Sequence, residues 1–123
     1  MSLLGAAEIR ALAAQLQLKP AKALGQNFVI DANICRKIVK LAGVSATDVA
    51  LEIGPGLGSL TLALLDEAAA VIAIEIDPRL VAQLPATVES HSEHFANLTV
   101  INEDALQITQ LPRSPTVLVA NLP

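Results

Sequence analysis

The sequence has no Trp and no Tyr, and Phe28 and Phe95 are its only aromatic residues. Aliphatic side chains must therefore build its core, and they supply most of the 53% hydrophobic content. A single cysteine, Cys35, excludes a disulfide framework and a cysteine-based zinc site, and fits a reducing, cytoplasmic setting. No apolar run reaches the roughly 18 residues of a membrane-spanning helix, so no membrane partner is expected. Residues Met1 to Gly5 lack both the basic and the apolar regions of a secretory signal. Low hydrophobicity combined with high net charge, the signature of disorder, is also missing. The 123 residues are the length of one ordinary domain.

Basic residues are scarce as well: eight Lys and Arg stand against twelve Asp and Glu, for a net charge of −4. At first sight this argues against a nucleic-acid partner. The average conceals a division. Residues 1–40 carry Arg10, Lys19, Lys22, Arg36, Lys37 and Lys40 against only Glu8 and Asp31. Residues 41–123 carry Arg79 and Arg113 against all ten remaining acids. The basic third reads either as a solvated helix face or as an edge facing a polyanion.

Periodicity predicts a short helix over residues 6–17, with Ile9, Leu12 and Leu16 on one stripe, and a loop from Lys19 to Phe28. Asp31 is the expected N-cap of a helix over 32–42 that buries Ile34, Ile38, Leu41 and Ala42 and stops at Gly43. Strand and helix then alternate. Strands are expected at 49–53, 71–76, 98–101 and 116–120, and helices at 57–68 and from Pro78 to about Ser90, with Asp77 as cap. Pro85 is expected to kink or divide the latter helix. Uniformly apolar strands between helices indicate a parallel sheet covered on both faces, a doubly wound α/β fold.

The first strand runs into Glu52-Ile53-Gly54-Pro55-Gly56-Leu57-Gly58, a glycine turn that opens a helix. Glycines suit a backbone that adopts positive φ or approaches a ligand closely, and the helix start offers unpaired N–H groups. A phosphate-binding Walker loop fails, because no Lys follows these glycines. A dinucleotide turn needs a third glycine where Ser59 stands, so that reading is weakened but survives. The Gly-x-Gly-x-Gly turn of S-adenosylmethionine-dependent methyltransferases fits as written. Glu75, about 20 residues on at the end of the second strand, suits a ribose diol under either surviving reading. Asp104 closes the third strand, where a carboxylate can accept from an exocyclic adenine amine. These features fall at successive C-terminal strand edges, where an open α/β sheet binds its ligand.

The fourth strand leads to Asn121-Leu122-Pro123, which resembles the Asn/Asp-Pro-Pro-aromatic motif of methyltransferases acting on exocyclic amines. Together with Leu24-Gly25-Gln26-Asn27-Phe28, the glycine turn and Glu75-Ile76-Asp77, the sequence resembles the ribosomal RNA adenine N6-dimethyltransferases, in their bacterial small-subunit (16S) branch. The resemblance covers about residues 19–123. Val29, Ala120 and Asn102-Glu103 depart mildly from the family's usual residues.

This resemblance implies a Rossmann-like methyltransferase fold, S-adenosyl-L-methionine as cofactor, no metal, and the 16S RNA of the small ribosomal subunit as partner in ribosome biogenesis. Gln26, Asn27 and the backbone near Val29 would close over the methionine end, while Gly54 and Gly56 let the backbone approach. Glu75 would hold the ribose and Asp104 the adenine amine. Asn121 and the Leu122 carbonyl would accept from the target N6, with Asn121 also lining the cofactor site. Residues 1–45 are expected to form a basic N-terminal helical segment, and 46–123 the cofactor-binding half of a methyltransferase domain truncated after its fourth strand. Such a chain is expected to be inactive alone and to self-associate through its cut sheet edge. The competing functions are a NAD-type oxidoreductase half-domain and a non-catalytic RNA-binding or assembly module. His91 and His94 read as surface histidines, Cys35 as a small core residue, and Glu52 as a hydrogen-bond partner of the loop around the glycine turn.

Overall fold

The computed structural model describes residues 2–18 and 31–120. The chain runs α1 (Ala6–Gln15), α2 (Ala32–Leu41), β1 (Val49–Ile53), α3 (Ser59–Glu67), β2 (Ala70–Glu75), α4 (Pro78–His91), β3 (Leu98–Asn102) and β4 (Val117–Ala120). Single 3-10 turns lie at Phe95–Asn97 and Ala105–Gln107. The strands form one sheet in the order β3-β2-β1-β4, and every pairing is parallel. This is the expected Rossmann-like α/β fold. No helix among the described residues is long and apolar enough to cross a membrane.

Local chemistry sets the helix starts. Asp31 accepts from the Asn33 N–H at 2.7 Å, and Asp77 accepts from the Arg79 N–H at 2.9 Å with Pro78 opening α4. Each carboxylate thereby satisfies a backbone donor that a helix leaves unpaired. Gly43 ends the α2 segment at φ +70. α4 is not divided at Pro85. Leu80 and Leu84 before it, and Thr87 and Val88 beside it, are all buried, so packing holds both turns in one helix despite the missing donor.

The buried face of α2 differs from the expected one. Cys35 and Val39 are buried, whereas Ile34 is 50% and Leu41 86% exposed. The helix is turned so that Lys37 and Lys40 stay exposed to water. The expected face would have brought Lys37 to its margin, where desolvating an ammonium is costly.

The sheet is likewise not covered equally on both faces. Ala50, Val71, Ala73 and Val119 lie in the main core with buried residues of all four helices and with Leu4. On the other face, Val49, Ala70 and Ile72 form a much smaller buried cluster, and the residues packed against it, Leu51, Ile101 and Leu111, are themselves only partly buried. Leu118 there is 62% exposed. Topology explains the asymmetry. The β1–β2 and β2–β3 crossovers move in one direction, and right-handed connections put α3 and α4 on the same face. The β3–β4 connection moves back across the sheet and belongs on the opposite face, but it carries only the Ala105–Gln107 turn.

Parallel strands place all their C-terminal ends at one edge. In register, Ile53 stands beside Ile74 on one side and Ala120 on the other, and Glu75 stands beside Asn102. The glycine turn, the β2 exit, the β3 exit and the β4 exit therefore open side by side.

Candidate active site

The glycine turn departs from β1 with Gly54, Gly56 and Gly58 at φ +76, +58 and +103. All three occupy backbone conformations that disfavour a Cβ, which explains the glycines locally. Gly58 has a second reason: a Cβ there would lie 2.8 Å from Leu84 Cδ1 of α4. The third glycine thus permits α3 to pack close to α4. Ser59, at the dinucleotide-turn position, is 6% exposed and begins α3.

Glu75 is 8% exposed and is tied into this turn. Its Oε1 accepts from the Gly56 N–H and its Oε2 from the Asp77 N–H, both at 3.1 Å. A carboxylate has about four acceptor positions, so two backbone bonds leave capacity for ligand hydroxyls. Holding the turn is a role that the sequence did not reveal.

Asp104 is half-buried, and its Oδ1 accepts from the Leu106 N–H at 3.0 Å, capping the short turn that follows β3. Between these carboxylates lies a cleft of about 400 Å³, lined by Ile53, Gly54, Ile74, Glu75, Ile76, Glu103, Asp104, Ala105 and Leu106. It brings together three of the residues singled out from sequence: Gly54, Glu75 and Asp104. Gly56 joins them through Glu75.

Sequence reasoning missed Asn102, Ile76 and Leu106. The Asn102 amide donates to the carbonyls of Glu75 at 2.9 Å and Ile76 at 3.2 Å, locking the β3 exit to the β2 exit. The departure at Asn102-Glu103 therefore comes with a side-chain clamp. Ile76 is 65% and Leu106 94% exposed, and both line the cleft. Their signal in the sequence was a large aliphatic residue just beyond each acid-bearing strand end. Such residues offer apolar walls to a flat ring.

Glu52 behaves differently from the expectation. Its Oε1 accepts from the Thr61 hydroxyl of α3 at 2.5 Å, and not from the glycine turn. Strand parity is the reason: Glu52 lies on the helix-covered face with Ala50, beneath the first turns of α3. Its other oxygen, Oε2, is buried with no partner among the described residues. Burial pushes its carboxyl up to about 7, the Thr61 bond opposes this, and the nearby Glu75 charge adds to the rise. Cys35 is fully buried and its thiol is pushed up to about 11, first by burial and then by the charges of Glu52 and Asp31. It is the core residue expected.

His91 links two N-terminal residues. One ring nitrogen lies 2.6 Å from the Ser2 hydroxyl and the other 2.6 Å from Glu8, so α1 is tied to the end of α4. A second cavity of about 400 Å³ lies between α2 and α3, lined by Arg36 and Lys40 on one side and Asp66 and Glu67 on the other. Its lining residues Val44, Asp66 and Glu67 precede β1 and β2, at the opposite end of the strands from the glycine turn, and it holds none of the residues assigned above. Gln26, Asn27, Val29, Asn121 and Leu122, together with the loop expected at 19–28, lie outside the described residues.

Comparison with known proteins follows the same lines. The family model described as "Ribosomal RNA adenine dimethylase" matches residues 17–123. The chain is 56% identical over 125 residues to the Ribosomal RNA small subunit methyltransferase A of Rhodococcus opacus, covering 99% of this chain and 42% of that protein. Among solved structures, a dimethyladenosine transferase from Plasmodium falciparum is similar at 36% identity and a TM-score of 0.63, over 76% of this chain and 32% of that one. The 23S rRNA methyltransferase ErmE is similar at 36% identity and a TM-score of 0.60, over 70% of this chain and 34% of that one.

Proposed function

This chain belongs to the ribosomal RNA adenine dimethylase family, and on that premise we propose that its cleft receives the adenosyl half of S-adenosyl-L-methionine. The observation that carries the reading is the convergence of Gly54, Glu75 and Asp104 on one cleft with Ile76 and Leu106 as apolar walls. The donor set fits the group. Glu75 retains acceptor capacity for a ribose diol, Asp104 for an exocyclic amine, and the aliphatic walls suit the purine between them. The positive φ of Gly54 and Gly56 gives the turn a backbone shape that a close-lying ligand suits.

The chain spans 42% of the length of its Rhodococcus opacus relative, so RNA methylation is proposed for the whole protein. The reaction is transfer of methyl groups to adenosine N6 in the 16S RNA of the small subunit, in the cytoplasm during ribosome biogenesis. When bound, the cofactor supplies an already activated sulfonium methyl, which needs neither a metal nor a covalent nucleophile from the protein. Ala120, which precedes Asn121 in sequence, pairs with Ile53, the residue before Gly54. This register supports assigning Asn121 and the Leu122 carbonyl to the target amine, as acceptors of its two hydrogens. Held in that way, the N6 lone pair is released from the ring and directed to the methyl, with positioning and electrostatics providing the catalysis. The target base must be flipped out or single-stranded to be reached. Gln26, Asn27 and Val29 are assigned to the methionine end by resemblance.

The polyanion-facing reading of the basic third is supported by Arg36, Lys37 and Lys40, all exposed on α2. Ser59, standing where a dinucleotide turn needs its third glycine, weighs against a nicotinamide dinucleotide. Calorimetric titration with S-adenosylhomocysteine and with NAD tests the reading. Saturable binding of the former alone is expected, and saturable NAD binding alone would overturn it.

A further inference from the structure

Arg79 makes a set of contacts that the cofactor assignment does not use. Its guanidinium meets Asp77 twice, Nε to Oδ1 at 3.2 Å and Nη2 to Oδ2 at 2.9 Å. The remaining nitrogen, Nη1, donates to the carbonyls of Leu16 at 3.1 Å and Gln17 at 3.4 Å, more than 60 residues away in sequence. Those carbonyls end α1. The Leu18 N–H donates to the Ala13 carbonyl and the Gln17 N–H to the Ala14 carbonyl, the paired bonds of a Schellman cap. Gln17 takes the left-handed position of that cap at φ +57, where glycine is the usual residue. The cap leaves the Leu16 and Gln17 carbonyls without intrahelical donors, and Arg79 supplies one.

Asp77 carries this anchorage to the cleft. Its backbone N–H is the donor to Oε2 of Glu75, at 3.1 Å. A continuous path therefore runs from the end of α1 through Arg79 and Asp77 to the Glu75 carboxylate. α1 is itself fixed, because Ile9 and Ala13 are buried in the main core and Glu8 pairs with His91.

We propose that Arg79 is a positioning residue, bracing the β2–α4 turn against the end of α1 so that the Glu75 carboxylate is held ready for a ribose diol. The cofactor side of this inference rests on the reading of Glu75 given above. Geometry selects arginine here, because only a planar fork can meet a carboxylate on one edge and two carbonyls on another. The same pairing with Arg79 holds the Asp77 carboxyl below its ordinary range. An Asp–Arg pair whose arginine side chain is 51% exposed contributes little to stability by itself. A purely structural role therefore predicts no effect on the site.

Amide hydrogen exchange of the 123-residue chain, without ligand, tests the brace in R79M and R79K. R79M is expected to speed exchange at Asp77 and Gly56, the two donors to Glu75, and to leave Ala73 in the middle of β2 unchanged. R79K keeps a charge for Asp77 but cannot span to both carbonyls, so its rates should fall between. Unchanged exchange at Asp77, or equal acceleration at Ala73, would overturn the proposal. The half-exposed side chain predicts wild-type circular dichroism for both variants, and R79K carries the test alone should R79M not fold. Calorimetry with S-adenosylhomocysteine is expected to show binding about tenfold weaker in R79M, on the scale of one charge-assisted hydrogen bond. Faster exchange with unchanged affinity would also overturn the positioning role. If E75Q binds as tightly as wild type, the ribose reading of Glu75 fails, and the exchange data still decide the brace.

Discussion

The Gly56 N–H donates to Glu75 Oε1 at 3.1 Å, so the carboxylate assigned to the ligand also holds the turn that must admit the ligand. The turn and the acid are thus one unit, contributed by two neighbouring strands.

This unit predicts that E75Q is not a mild change. Both oxygens of Glu75 accept from backbone N–H groups, and a glutamine amide must turn its NH₂ toward one of those donors. The loss should be roughly 1–3 kcal/mol of stability, measured by urea unfolding, because a buried donor is left unpaired. Affinity for S-adenosylhomocysteine should fall further in E75Q than in D104N, since Asp104 makes no bond to the glycine turn.

Glu52 predicts an unusual pH dependence. Its folded value of about 7 lies above the ordinary 4.5, so between those values the folded chain binds more protons than the unfolded one. Its contribution to stability therefore declines as pH rises through this window, and the full penalty is present above it. The shift corresponds to roughly 3 kcal/mol at one unit per 1.36 kcal/mol. E52Q keeps an oxygen for Thr61 and stays neutral. Unfolding free energies at pH 5 and pH 8 should differ less in E52Q than in wild type, with the variant the more stable at pH 8.

Cys35 should be unreactive while the chain is folded. A thiol pushed from 9.0 to about 11 has roughly a hundredfold less thiolate at pH 8, before steric exclusion is counted. Reaction with a chromogenic disulfide should be slower by at least that factor in buffer than in guanidinium chloride.

Gly58 and Leu84 predict a coupled pair. G58A meets both the positive φ and the contact at 2.8 Å, and should cost roughly 1–3 kcal/mol. L84A opens a cavity but also removes the obstructing methyl. The double variant should therefore lose less than the two single losses together, which a double-mutant cycle in urea reads directly.

Much of this molecule is local in origin. The β1 boundaries, the caps at Asp31 and Asp77, the stop at Gly43 and the parallel direction of the strands follow from apolar runs and from residues with few conformational options. The positions of Gly54, Glu75 and Asp104 at successive strand ends follow too, because parallel strands deliver every C-terminus to the same edge. Tertiary structure decided what depends on neighbours distant in sequence. The face of α2 was set by where lysines could reach water, which placed Cys35 inward and Leu41 outward. The uneven cover of the sheet came from crossover handedness. Glu52 reached Thr61 because of which sheet face it occupies, and Glu75 gained the glycine turn because β1 and β2 are adjacent. The contact of Arg79 with the end of α1 has no periodicity or motif to announce it. Scarcity of aromatics in the sequence settled that the core is aliphatic, and the alternation of apolar strands with helices settled the α/β class. The assignment of each polar group to its partner needed the fold, because hydrogen bonds are specified by distance in space and not along the chain.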